Sequence, residues 1–189
     1  MKKLPVSWKL NDHGTVYFGM GEKEMMLTLI LSAAGCILLF LCIWGVTVTM
    51  PTGLLVKNLP EDVQKALQPR IDSLPMSPKR ILGWIILILF LAGYIGLFVI
   101  GGMDGKTHGF TFLQFFARFF TIGTFIKAFD IICLDYFLLM KTRFFQHFFP
   151  ETEGCAGWQN FGYNRKQQIR QCFLILVGSV ITACIFTIV

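Results

Sequence analysis

The sequence predicts an all-α, polytopic integral membrane protein with four transmembrane helices, an amphipathic first cytoplasmic loop and a structured, aromatic-rich third loop. Three observations carry that reading. Hydrophobic residues make up 54% of the 189 and charged ones only 15%, with a mean hydropathy of +0.63, which leaves too little polar surface to cover a soluble domain. Apolar runs of about 20 residues, the length that crosses a hydrocarbon core of about 30 Å as a helix, recur at 25–49, 81–101 and 172–189. Thirteen of the 20 phenylalanines fall between Phe110 and Phe149, where a further span is expected.

Taken in order, residues 1–24 form a polar N-terminal segment and 25–189 a single transmembrane domain. The first span follows Gly21-Glu-Lys-Glu and carries Trp44 near one end, where an interfacial anchor belongs. It begins too late and runs too long for a cleaved signal peptide. The loop from Pro51 to Arg80 holds five prolines before Lys79. Leu59-Pro-Glu-Asp has the proline and acids of a helix start, and Val63, Ala66, Leu67, Ile71 and Leu74 continue as an apolar stripe that Pro69 interrupts. A short interfacial helix and an extended linker are expected there. The second span is 81–101.

Phe110 to Phe149 is too long for one crossing, since as a helix it would measure about 60 Å. The crossing is placed at 119–140, with Arg118 at one interface and Lys141 and Arg143 at the other, where long basic side chains reach water. Phe110 to Ala117 and Phe144 to Phe149 then lie along the two surfaces; the alternative register, 110–131, would bury Arg118 and free Asp135. The fourth span is 172–189. Small residues, Ala92 with Gly96 and Gly178 with Thr182, are expected to let the helices approach closely. The loops at 51–80 and after Met140 carry ten Lys and Arg against six on the other side, which predicts both loops cytoplasmic and both termini outside.

Within the third span, Lys127 and Asp130 stand three apart and can pair on one helical face, because either charge alone is costly inside a bilayer. Asp135 lies about 80° around from Lys127 on an α-helix, so all three occupy one sector facing the bundle interior. One acid is left in surplus. The loop from Thr142 to Gln171 is dense in polar groups and has glycines at Gly154, Gly157 and Gly162 for tight turns. Folding this loop over Asp135 would enclose a pocket at the interface.

Asp130, Asp135 and His147 are accordingly the candidate acid–base groups. Lys127, Arg143, Trp158, Tyr163, Arg165 and Lys166 are the candidates for holding a polar head. His147, Glu151 and Glu153 offer nitrogen and oxygen ligands to a divalent metal, although Pro150 breaks the helical spacing of the first two. The cysteines form no CxxC pair, and the nucleophile-elbow, HExxH, phosphate-loop and dinucleotide fingerprints are absent. The net charge of +6 fits the basic loops and anionic lipid headgroups, with no nucleic-acid module beside it. Membrane lipid is the expected partner, and a second copy or another membrane protein the alternative. Three functions fit: an enzyme acting on a lipid or amphipathic substrate, a small transporter or channel subunit with a polar path along the third span, and a non-catalytic scaffold.

Overall fold

The computed structural model describes residues 8–10, 16–18, 20–49, 56, 59–73 and 78–188. Two short strands, β1 (Trp8–Leu10) and β2 (Val16–Phe18), pair antiparallel within the polar N-terminal segment. All the remaining elements are helical. These are α1 (Glu22–Thr49), α2 (Glu61–Ser73), α3 (Pro78–Thr107), α4 (Phe112–Phe129), α5 (Phe144–Phe148) and α6 (Arg165–Ile188). A π-helix over Asp130–Lys141 continues α4, and two 3-10 turns, Pro150–Thr152 and Ala156–Gln159, follow α5.

Helices α1, α3 and α6 are long and apolar enough to cross a membrane. Their outer faces bear Ile88, Leu89, Phe173 and Leu174, all exposed, an apolar exterior that suits lipid and would be a liability in water. Each helix extends past its predicted span, and α6 takes in Arg165, Lys166 and Arg170, which the sequence reading left in a loop. Phe110 to Ala117 does not lie flat along a surface. A turn through Gly109 at φ 64° follows α3, the Gln114 side chain accepts the Thr111 backbone N–H at 3.0 Å, and Phe115 is already buried within α4.

Helix α1 lies along α3 and α4, and α4 along α6, whereas α3 and α6 approach closely at Gly102 and Phe186 and share little contact elsewhere. The close approaches occur at glycines other than those expected. A Cβ at Gly35 would strike Ile126, one at Gly102 the Phe186 ring, and one at Gly123 the Ile175 side chain. At Gly96 and Gly178 an added Cβ meets nothing within 4 Å. The Ala92–Gly96 and Gly178–Thr182 pairs are therefore not packing seams, and Gly178 instead keeps a space open.

Arg118 also departs from expectation. It does not snorkel to water but is fully buried, donating to Thr28 Oγ1 at 3.2 Å, Gly101 O at 2.7 Å, Asp104 Oδ2 at 2.7 Å and Glu24 O at 3.2 Å. It thereby ties the start of α1 to the α3–α4 turn. At the opposite end α2, α5 and the 3-10 turns build a cap around Val63, Leu67, Leu139, Phe145, Phe149 and Trp158. Helix α2 runs on through Pro69 without the expected break, and Val63 and Leu67 turn into the cap. Leu74 lies outside the described residues. Gly157 is needed in the cap because a Cβ there would collide with Asp62, whose Oδ2 accepts the Gly157 backbone N–H at 2.7 Å.

Candidate functional site

Because α3 and α6 diverge, a groove of about 720 Å³ opens between them, floored by α4. Its walls are apolar over most of their length, with Phe90, Tyr94 and Phe98 on one side and Leu174, Ile175 and Phe186 on the other. Gly178 lines it with no side chain to fill it. From Gln171 to Phe186 the α6 wall covers fifteen residue steps, about 22 Å along a helix. That length suits an extended hydrocarbon chain.

The polar groups gather at one end of this groove. Lys127 and Asp130 form the pair that their spacing predicts, at 2.6 Å, and the same ammonium donates to Gln171 Oε1 at 2.5 Å. All three residues line the groove. The lysine side chain is only 9% exposed and the aspartate 27%, so a ligand entering there meets carboxylate before ammonium.

Asp135 joins the array through the π-helix. In an α-helix, residues five apart point about 140° away from one another, but the wider winding of hydrogen bonds running i→i+5 brings them toward a common side. The Thr142 N–H bonding back to Phe137 O at 3.0 Å has this spacing. Asp130 and Asp135 therefore both turn toward α6. There Gln168 Nε2 donates to Asp135 Oδ2 at 2.5 Å and Asn164 Nδ2 at 3.2 Å. Tyr163 stands beside them, and burial, followed by the Asp135 and Asp130 charges, holds its phenol well above the ordinary range. It stays a neutral hydroxyl. Gln168 Oε1 is buried with no hydrogen-bond partner among the described residues.

Asn164 and Tyr163 also face a second cavity, a polar cleft of about 780 Å³ between α2 and the turn at Ala156–Gln159, lined further by Glu61, Gln64, Lys65 and Gln167. A ladder of polar side chains thus runs from this cleft to the groove in two bonded pieces, Asn164 to Asp135 to Gln168 and Gln171 to Lys127, with Gln168 and Gln171 three residues apart on α6.

The other sequence candidates lie apart from this ladder. His147 is exposed on α5, edge-on to Phe148, and lines neither cavity. Glu151 pairs with Arg70 at 2.9 Å, and Glu153 with the exposed Arg143 at 3.5 Å. The three expected metal ligands are thus engaged separately, and no group of three or more His, Cys, Asp or Glu at metal-binding distances occurs among the described residues. Trp158 is buried in the cap, stacked on Phe145 and donating to Thr152 O at 3.1 Å. It belongs to the core of the cap and also lines a smaller cavity of about 370 Å³ with Arg143 and Glu153. Arg165 and Lys166 are exposed on the first turn of α6 and line neither cavity. Sequence reasoning missed Gln168 and Gln171, although two amides three apart at the entrance of an apolar helix share one face.

No family model matches the chain, and no curated protein or solved structure matches it either.

Proposed function

We propose that the protein holds a long-chain amphipathic molecule taken sideways from the bilayer, its hydrocarbon chain in the α3–α6 groove and its polar head against Lys127, Asp130 and Gln171. One observation carries this reading: an open apolar groove ends on a charged pair that is partly exposed. Ligand sites of this size are mostly apolar with a few convergent polar groups, and an ionisable pair inside a membrane domain is costly enough to suggest a role. Asp130, with Asp135 behind it, is then the group able to exchange a proton with the head, which makes an enzyme acting on an amphipathic substrate the first choice.

In the arrangement that goes with this reading, α4 and its π-helical continuation make a fourth crossing, the cap lies on the cytoplasmic side, and the Arg118 cluster lies outside. The excess of basic residues on the cap side supports that orientation. A second reading, a proton or solute path, has its own support. The polar ladder continues from the groove to the cleft, and the orphaned Gln168 Oε1 beside Asp135 wants a donor such as water.

Gly178→Leu tests the first reading, since the new side chain has room and projects into the groove. Wild-type protein purified in mild detergent should retain lipid detectable by native mass spectrometry, and Gly178→Leu should lose it at an unchanged melting temperature. Equal retention by both would remove the groove from the account.

A further inference from the structure

Resting on the groove reading, we infer that the head site selects its ligand by charge. It takes long-chain molecules whose head donates hydrogen bonds and carries no negative charge, an alcohol or an amine, and it rejects anionic heads such as phosphate.

The charges facing the groove decide this. Among the described residues, Lys127 and Asp130 are the charged groups that line it, and they neutralise one another at 2.6 Å. The ammonium has three N–H donors. Two are already given to Asp130 and Gln171, and the lysine side chain is almost wholly covered. The Asp130 carboxylate is the more open partner and is an acceptor when ionised. Behind it Asp135 adds a second carboxyl group, bonded to the neutral amides of Asn164 and Gln168.

An anionic head would thus meet the more open Asp130 carboxylate, with the covered ammonium already donating to Asp130 and Gln171, in a medium where charges are weakly screened. A hydroxyl or ammonium would donate to Asp130. The basic residues that could hold a phosphate, Arg165, Lys166 and Arg170, are exposed on α6 and line neither the groove nor the cleft.

Hexadecanol, hexadecylamine and hexadecyl phosphate share one chain and differ in the head, so they separate the two claims. Binding is measured by native mass spectrometry on full-length protein freed of retained lipid. The alcohol and the amine should bind at least about tenfold more tightly than the phosphate, the scale expected for a like-charge conflict. Gly178→Leu should abolish binding of all three. Asp130→Asn, which keeps shape and removes charge, should narrow the difference severalfold. An amine that outbinds the alcohol assigns the preference to charge, and equal binding assigns it to hydrogen-bond donation. Equal or tighter binding of the phosphate, lost in Gly178→Leu, overturns the charge selection and leaves the groove reading standing. Failure of all three chains to bind wild type, or binding indifferent to Gly178→Leu, overturns the groove reading itself. The wild-type comparison decides between these outcomes even if Asp130→Asn does not fold.

Discussion

Arg118 has five N–H donors and no water to receive them. Its four bonds reach Glu24 and Thr28 on α1 and Gly101 and Asp104 on α3, and the Phe110 ring lies 4.4 Å from the guanidinium carbon. A planar fork can satisfy this set where a lysine ammonium cannot. Asp104→Asn keeps the size of the side chain but leaves the buried guanidinium without its counter-charge, so it should lower unfolding stability by about 2–3 kcal/mol. Arg118→Lys should do no better. Chemical unfolding in detergent measures both, and wild-type stability in Asp104→Asn would mean that backbone carbonyls alone hold the arginine. The burial itself was open to the sequence as the second register, 110–131, but the partners were not legible, because a basic residue at the edge of an apolar run ordinarily reaches water. Only the turn between α3 and α4 brings residues fourteen apart in sequence into one ion pair. Lys127 and Asp130 were legible, since their partnership needs nothing beyond three residues of one helix.

The π-helix at Asp130–Lys141 matters most at the scale of the element. Hydrophobic periodicity over DIICLDYFLLMK does not separate 3.6 residues per turn from a wider winding, so an α-helical reading was the natural expectation. The two windings differ in what Asp135 faces relative to Asp130. Cross-linking tests this in a background with the native cysteines replaced by alanine. Asp135→Cys paired with Gln168→Cys should join readily with a short bifunctional thiol reagent, because the native side chains are in hydrogen-bond contact. Efficient cross-linking of Asp130→Cys but not Asp135→Cys to α6 would indicate an α-helical register and dismantle the polar ladder. The cap was half legible. Its glycines, its aromatic load and the stripe of α2 were visible, but the inward turn of Trp158 and the capture of Glu151 by Arg70 depend on which surfaces meet. Polar composition alone does not show which loop residues hold the cap together, as Glu151 and Trp158 do.

For the whole molecule, the arrangement has two unlike ends joined by apolar helices. One carries the Arg118 cluster and the other the cap, so Lys106 beside the first and Arg143 beside the second, both exposed, should lie on opposite sides of a membrane. In cells, Lys106→Cys should react with an impermeant thiol reagent from outside and Arg143→Cys only after permeabilisation. The reverse pattern would invert the orientation, and labelling of both from one side would remove the fourth crossing. Three of the helices followed from length and apolarity alone, which are properties of single segments. The groove did not, because it is a gap between α3 and α6 and depends on how far apart α4 holds them. The most direct measurement is an experimental density map of the protein in lipid nanodiscs. The account predicts elongated density along Phe90, Phe98, Gly178 and Phe186 with its polar end at Lys127 and Asp130, and α3 and α6 packed in contact with no density between them would contradict it.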